Sequence, residues 1–287
     1  MPLTFRGRDA VAAGALTPDE LRGPSVRRLF TGVYTGADVP VTHALRVEAV
    51  GLLLPPEAMV TGASLAALRG VELSRVDDDV EVVVPERAYR TKVRGVSQRR
   101  VVVPLRPAAE RLGPTGLADP VRMAFDLAVG RSLADAVARL DAVAHAGLVD
   151  LDALRTDVAT RQERGIAGVR LAAELADARS ESLPESRLRL LLVRAGLDVV
   201  PQQVVRTADG AFVARVDLGV TGARVAVEYD GAWHARPEQL ARDRLRLNRL
   251  LGLGWEVVHV TAAMMKDPSA VVALVRAAVT RARRRPS

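Results

Sequence analysis

The segment RVAVEYDGAWH, residues 224–234, constrains the fold most, because an apolar strand pattern there suddenly carries two carboxylates. Side chains alternate between the two faces of a β-strand. Glu228 and Asp230 therefore share one face, while Val225 and Val227 lie on the other. Such a strand needs an apolar core on one side and, on the other, surroundings that tolerate two anions.

The patterns around this strand predict an α/β domain with a mixed central sheet over residues 180–287. Apolar positions recur every three or four residues in the helical segments and every second residue in the strands. The predicted order is helix 183–195, strands 198–205, 211–219 and 224–230, helix 237–252, strand 255–261 and helix 268–284.

The strand before RVAVEYD carries a third acid, Asp217. If the loop GVTGAR joins the two strands as a hairpin, cross-strand neighbours lie roughly 5 Å apart, so Asp217 and Glu228 would be close enough to bind one ion. In the structural alternative, Asp217 and Asp230 are strand-end or turn residues and Glu228 pairs with an arginine such as Arg215. The predicted apolar face of this preceding strand consists of Phe212, Ala214, Val216 and Leu218.

Glu185 raises the same question on a helix. It follows Ser182 by three residues in SLPE, at a predicted helix start. The simplest role for this spacing is a capping box, in which the two residues satisfy backbone amides of the first turn. A role in the acid site is the alternative, and the spacing does not decide between them.

Length and composition bound the classes of function. A chain of 287 residues is long enough for two domains. It has no cysteine, so any metal would be held by carboxylates, histidines and water, which favours magnesium or manganese. The formal charge of +7 fits a polyanionic partner, and equally an arginine-rich proteome. No signal peptide or long apolar run is found, which predicts a cytoplasmic protein without a membrane partner.

Residues 1–106 predict a winged-helix-like DNA-binding region with a small β-hairpin. LTPDEL is typical of a helix start, PSVRRLF of a short basic helix and TGVYTG of a strand. In a winged helix-turn-helix the third helix enters a DNA groove, so Arg27 and Arg28 are candidate DNA contacts. A small helical docking module is the alternative. The runs DVEVVVP and RRVVVPL predict two strands that form the hairpin or a small sheet.

Residues 107–179 predict a helical connector. Four segments between residues 119 and 178 show apolar positions at three- and four-residue spacing, which indicates helices. No side chain in them suggests chemistry.

The predicted helix 237–252 carries arginines on one face. Arg242, Arg246 and Arg249 follow one another at four- and three-residue spacing. A basic stripe beside a carboxylate cluster is the charge arrangement that binding of a phosphate backbone requires. A solvated helix face is the alternative.

These motifs together carry a resemblance to a known family. ESLPESRLRLLLVRAGL, RVDLGV, VAVEYDGAWH and RDRLRLNRLLGLGWEVVHVT, in this order over residues 180 to about 280, resemble the DUF559 family. That family is a branch of the PD-(D/E)xK restriction-endonuclease-like superfamily, close to very-short-patch repair endonucleases. LTPDEL, RRLFTGVYTG and TGASLAALRG resemble, more weakly, the winged-helix half of abortive-infection antitoxin regulators.

The resemblance implies a metal-dependent site. Acids near the first helix start and on the second and third core strands bind one or two magnesium ions in the superfamily, and these positions are Glu185, Asp217 and Glu228. Asp217 and Glu228 are the predicted metal ligands. Asp230 stands where familiar members have a lysine, and the Glu-x-Asp-Gly form with a following histidine is typical of this branch. His234 would then be a base or metal ligand, or alternatively a hydrogen-bonded loop histidine.

The expected function is that of a DNA-binding protein whose endonuclease-like domain hydrolyses DNA phosphodiester bonds with magnesium or manganese. The alternative is a non-catalytic transcriptional regulator or antitoxin-type DNA binder that keeps the nuclease fold, and a third is an RNA-directed nuclease. A homodimer and a toxin–antitoxin partner protein are both compatible with the resemblance.

Overall fold

The chain is a mixed α/β protein with two compact units. The computed structural model describes residues 3–88, 92–102, 105–231 and 237–284, and for 237–243 it describes the backbone alone. The first unit comprises Met1–Arg131 with Ala146–Arg170, and the second comprises Ser132–His145 with Leu171–Ser287. Residues 107–179, expected to be a separate connector, are thus divided between the two units. None of the described helices is long and apolar enough to cross a membrane.

Local capping fixes several helix starts in the first 175 residues. Thr42 accepts a hydrogen bond from the amide of Leu45, and Asp119 accepts one from the amide of Arg122, with Pro120 in the first turn. The elements in chain order are β1 (Thr4–Arg6), α1 (Gly7–Ala12), β2 (Val26–Phe30), β3 (Val33–Gly36), α2 (His43–Gly51), β4 (Met59–Val60), α3 (Gly62–Leu68), β5 (Val80–Pro85), β6 (Val96–Val101), β7 (Arg111–Leu112), β8 (Thr115–Leu117), α4 (Pro120–Ala128), α5 (Leu133–His145), α6 (Leu151–Thr160) and α7 (Ile166–Leu175).

The first unit contains two sheets. One has the order β1-β3-β2 and is antiparallel, and the other has the order β6-β5-β4-β8-β7 and is mixed. Helix α4 is buried along most of its length, and its Phe125 and Leu127 are fully inaccessible. The predicted helices of the connector are confirmed at α4, α5, α6 and α7, with α5 belonging to the second unit.

The predicted basic helix PSVRRLF is wrong. Its residues form strand β2, which pairs antiparallel with β3, so Arg27 and Arg28 lie exposed on an edge strand and not on a recognition helix. The capping-box interaction in LTPDEL does form between Thr17 and Glu20, but it begins only a single 3-10 turn, Glu20–Arg22. A five-residue apolar and basic run suits either structure, and pairing with a neighbouring strand decides it.

The predicted hairpin of DVEVVVP and RRVVVPL is also wrong, whereas the alternative prediction of a small sheet is confirmed. The two runs form β5 and β6, which pair in parallel from Val80 with Val96 to Pro85 with Val101. Parallel neighbours cannot be joined by a tight turn. The intervening residues include 89–91, which lie outside the described residues.

The second unit follows the order of elements expected from the sequence. Ser182 caps the helix Leu183–Arg194 by accepting a hydrogen bond from the amide of Glu185. The elements after α7 are α8 (Leu183–Arg194), β9 (Val199–Arg206), β10 (Phe212–Val220), β11 (Val225–Asp230), α9 (Pro237–Gly252), β12 (Glu256–Thr261) and α10 (Pro268–Arg284).

These elements form a central sheet between helices. The strand order is β12-β11-β10-β9, with β12 parallel to β11 and the other pairs antiparallel, so the sheet is mixed as expected. Leu188 and Leu192 of α8 and Val271 and Val275 of α10 pack on one face of it. Leu250 of α9 packs on the other face.

Strand β10 does not keep the single apolar face that alternation predicted. Ala214 and Val216 pack on the α9 side of the sheet, whereas Leu218 packs on the α8 side. Phe212 is 62% exposed. Because strict alternation would put all four side chains on one face, the strand must change face between positions 216 and 218. That change falls at Asp217.

Candidate active site

Strand pairing brings Asp217 to strand β11. The antiparallel register pairs Leu218 with Val227, which are the chain neighbours of Asp217 and Glu228. The backbone amide of Tyr229 donates a hydrogen bond of 2.9 Å to Oδ2 of Asp217. Among the described residues no other group donates to this carboxylate. Asp217 thus retains an oxygen that a ligand could take.

The surroundings of Asp217 disfavour its negative charge. Burial is the main cause that raises the pKa of this carboxyl to about 6. The Tyr229 amide opposes that rise, the charges of Glu185 and Glu228 reinforce it, and Arg246 offsets part of it. Three acids from one helix and two strands therefore act on one another at this point of the unit.

Glu228 is buried and paired. Only 6% of it is exposed, and Arg246 donates from Nη1 to its Oε1 at 2.7 Å and from Nη2 to its Oε2 at 2.5 Å. Arg246 also donates to the backbone carbonyl of Arg215 at 3.3 Å. The side chain of Arg215, the example chosen from the sequence as a partner for Glu228, instead pairs with Glu181 at 2.8 Å.

Glu185 makes the helix-start contacts that its spacing from Ser182 suggested, and its charge acts on Asp217. Ser182 Oγ donates to its Oε1 at 2.8 Å, and the amide of Glu181, one residue before the N-cap, donates to its Oε2 at 3.2 Å, which gives a variant of the capping box. Gln202 Nε2 donates to the same Oε2 at 2.9 Å. The carboxylate also lies close enough to Asp217 to raise the pKa of that group.

Gln202 is a residue that sequence reasoning missed. It lies in β9 between Pro201, which pairs with Leu218, and Gln203, which pairs with Val216, so it faces Asp217 across the strands. Its φ of +51° makes it the one non-glycine in the described chain with a left-handed backbone. Two adjacent glutamines in an apolar strand were a visible signal, but nothing in the sequence marks this backbone conformation.

Asp230 lies at the end of β11 with a histidine that no motif had singled out. Its Oδ1 is 3.1 Å from Nδ1 of His259 on β12. The parallel register pairs Glu228 with His259 and Asp230 with Thr261. Alternation in β12, with Val258 and Val260 in the core, was the signal that would have put His259 on the face of the acids.

The predicted basic stripe of α9 is divided. Arg249 is exposed, as expected, but Arg246 turns towards the sheet to bind Glu228. The side chain of Arg242 lies outside the described residues, and so does the whole of His234. The structure therefore brings together Glu185, Asp217, Glu228 and Arg246, and adds Gln202. Asp230 and His259 form a separate contact on the sheet face that also carries Glu228.

The donor set fits a hard divalent cation in part. Asp217 has an oxygen open to a ligand, and its carboxylate is destabilised by neighbouring negative charge that a cation would offset. Glu228 fits only after Arg246 has released it. In the arrangement described, with side chains 232–243 left aside, no three histidine or acidic side chains form a ready ligand set.

The protein is thus a mixed α/β protein with a cluster of acidic side chains on the sheet of its second unit. Comparisons with known proteins give the following likenesses. No family model matches the chain. Two proteins of Mycobacterium tuberculosis, described as the uncharacterized proteins MT2308 of strain CDC 1551 and Rv2248 of strain H37Rv, are each 27% identical over 271 residues. The alignment covers 92% of this chain and 96% of either relative, so the likeness extends over both units.

A solved structure also aligns. The crystal structure of the RV2827C protein from Mycobacterium tuberculosis covers 72% of this chain and 84% of its own, with 18% sequence identity and a TM-score of 0.39. A TM-score below 0.5 does not establish a shared fold.

Proposed function

We propose that the second unit is a divalent-cation-dependent nuclease domain that hydrolyses DNA phosphodiester bonds. The observation that carries the proposal is the partly buried carboxylate of Asp217, whose pKa is raised by the charges of both Glu185 and Glu228. Gathering acids in a poorly solvated place costs free energy unless a cation neutralises them. A site that persists in spite of this cost is best explained by the cation it binds.

Asp217 and Glu228 would hold the cation, with Glu185 beside them. A divalent ion bound there supplies a polarised water and stabilises negative charge on the phosphate. Arg246 would leave Glu228 and bind a phosphate oxygen, for which its planar guanidinium is equally suited. Gln202 would keep Glu185 oriented through its hydrogen bond to Oε2.

Surface charge supports a nucleic acid as the substrate. The chain carries a net charge of +7, and Arg244 and Arg249 are exposed on α9, the helix that also provides Arg246. Arginines near a cation site can hold the phosphate backbone while the cation faces the bond to be broken. DNA, and not RNA, is proposed on the family resemblance.

The first unit is proposed to contact the same DNA. The sequence suggested a winged helix-turn-helix, but Arg27 and Arg28 lie on strand β2. A DNA contact through these arginines would have to use the β2–β3 ribbon. The predicted antitoxin-type partner and a homodimer stay predictions.

The second candidate function is that of a non-catalytic DNA-binding regulator. The pair of Arg246 with Glu228 favours it, because Arg246 satisfies both oxygens of a predicted metal ligand without any metal. Asp230, in the position of the usual lysine, favours it as well. In that case the acids would serve the stability of the fold alone.

Plasmid cleavage tests the two candidates directly. Supercoiled DNA is incubated with the full-length protein and magnesium or manganese, and the isosteric variants Asp217→Asn and Glu228→Gln are run beside it. We expect nicking by the wild type and background levels for both variants. Asp209→Ala is the matched control, because Asp209 lies in an exposed turn of the same unit. Intact plasmid together with an unchanged gel shift in all four proteins would establish the regulator.

A further inference from the structure

His259 lies on the face of the sheet that carries the acids, although no motif pointed to it. Strands β11 and β12 are parallel and in register, with His259 as the partner of Glu228. Paired residues of neighbouring strands project to the same face. His259 therefore neighbours a predicted metal ligand, and its Nδ1 lies 3.1 Å from Oδ1 of Asp230.

The pairing with Asp230 determines which ring nitrogen is available. A carboxylate can only accept a hydrogen bond, so Nδ1 of His259 carries the hydrogen and donates it. Nε2 then keeps its lone pair. No described residue makes a hydrogen bond to Nε2, and the His259 side chain is 43% exposed, so water and substrate can reach it.

Stability does not account for this pair. The side chains of Asp230 and His259 are 48% and 43% exposed. Exposed ion pairs contribute roughly 0–1 kcal/mol to stability. What the contact does fix is the orientation of the imidazole, which is the role that carboxylates have behind proton-accepting histidines.

We propose that His259 is the general base of the nuclease, and that Asp230 is the residue that positions it. This inference rests on the function proposed above. An O–H bond of the attacking water breaks and its proton moves to Nε2, while an electron pair of the water oxygen forms the new bond to phosphorus. The bond from phosphorus to the leaving sugar oxygen breaks with its electron pair, and that oxygen takes a proton from solvent.

The test is the cleavage rate of full-length variants on one plasmid with magnesium or manganese. His259→Gln is expected to lower the rate by about 10²-fold or more, the ordinary contribution of a general base, with an unchanged gel shift. Asp230→Asn is expected to lower it less, and the double variant should lose no more than His259→Gln. His145→Gln is the matched control, because His145 is an exposed histidine of α5 in the same unit.

Chemical rescue separates a proton acceptor from a merely structural residue. Imidazole added to the buffer is expected to restore part of the rate of His259→Ala, and to leave the wild type and His145→Gln unchanged. A wild type that cuts, together with an equally active His259→Gln, would overturn the inference and leave the proposed nuclease standing. A loss confined to DNA binding without rescue would overturn it too. A wild type that leaves DNA intact with both metals would overturn both.

Discussion

Arg246 and Glu228 form a two-point ion pair in which each terminal nitrogen of the guanidinium binds one carboxylate oxygen, at 2.7 and 2.5 Å. Glu228 is 6% exposed, whereas the side chain of Arg246 is about a third exposed. The guanidinium therefore occupies the oxygens that a divalent cation would need. If Glu228 binds a cation as proposed, the cation has to displace Arg246, which is the more accessible partner of the pair.

Arg246→Ala should separate the contribution of the ion pair to stability from the ability of Glu228 to bind a cation. Without metal, the variant leaves a buried carboxylate without its guanidinium, and we expect a loss of about 2 kcal/mol in the free energy of unfolding. The loss is smaller than the roughly 3–5 kcal/mol of a fully buried pair because Arg246 is partly exposed. Manganese should stabilise the variant more than the wild type. Urea unfolding with and without the ion measures both effects.

Arg281→Ala is the control for this comparison. Arg281 pairs with Glu256 in the same unit, and its side chain is 56% exposed. We expect its loss to stay below about 1 kcal/mol, with no change in the response to manganese. If manganese stabilised Arg246→Ala no more than the wild type, Glu228 would not be a metal ligand.

The raised pKa of Asp217 makes the metal-free protein sensitive to pH. Burial raises this pKa from 3.8 to about 6, so between roughly pH 4 and 6 the folded protein holds a proton that the unfolded chain has released. The stabilisation by this proton on Asp217 is complete below the pKa of Asp217 in the unfolded chain. It is lost as the pH rises through the pKa of Asp217 in the folded protein. Asp217→Asn should be more stable than the wild type above about pH 6 and should lack this decline.

Unfolding curves in a chelator between pH 4 and 8 measure the effect. If the free energies of unfolding of the wild type and Asp217→Asn changed in parallel across this pH range, the prediction would be wrong. The same proton competes with a cation, so the affinity for manganese, measured by titration calorimetry, should increase as the pH rises through about 6.

The sequence predicted local structure well where the pattern was long. Helices α8 and α9 and the strands of the second unit lie within one or two residues of their expected bounds. Each of them buries one face, so its apolar residues recur with the period of a helix or a strand. The helix predicted for PSVRRLF was wrong because seven residues carry too little periodicity, and pairing with β3 decided the structure of Val26–Phe30. The parallel pairing of β5 with β6 is likewise nonlocal, and alternation within a strand says nothing about the direction of its neighbour.

The closeness of Asp217 and Glu228 was predictable from the sequence, whereas the side chains that contact the acids were not. Asp217 and Glu228 lie on consecutive strands, so a short loop sufficed to bring them together. Arg246 and His259 arrive from later elements, and no spacing indicated that one would bind Glu228 and the other Asp230. The change of face in β10 escaped prediction because it depends on the backbone of the opposite strand.

We expect the backbone of Gln202 to be strained, because its φ of +51° is left-handed while its side chain is held by the hydrogen bond to Glu185. A left-handed φ costs a residue with a β-carbon about 1 kcal/mol, a cost that glycine avoids. We therefore expect Gln202→Gly to be more stable than Gln202→Ala by about 1 kcal/mol. Both variants lose the hydrogen bond to Glu185, and both should bind manganese more weakly than the wild type.

The neighbouring Gln203 is the matched control, because it lies in the same strand with an ordinary backbone. There the order should reverse, with the alanine variant more stable than the glycine variant by roughly 0.5–1 kcal/mol. The same order of alanine and glycine at both positions would show that Gln202 is not strained. Unchanged manganese binding in both Gln202 variants would exclude a positioning role.

Helix α5 contributes one buried charge, Asp141, to the second unit. Asp141 is inaccessible, and it accepts hydrogen bonds from Arg189 of α8 at 2.8 Å and from the amide of Asp177 at 2.7 Å. Asp141→Ala leaves Arg189, only 5% exposed, as an uncompensated charge, and we expect a loss of about 3–5 kcal/mol. Fluorescence of Trp255 during urea unfolding reports on this unit.

Asp135→Ala provides the comparison on the same helix. Asp135 pairs with Arg187 of α8 at 2.9 Å, but both side chains are more than 40% exposed. Its loss should cost at most about 1 kcal/mol. Equal losses for the two variants would mean that α5 is attached by its apolar face alone. A much larger loss for Asp141→Ala would mean instead that the second unit cut at residue 180 is destabilised, because it lacks the carboxylate that neutralises its buried Arg189.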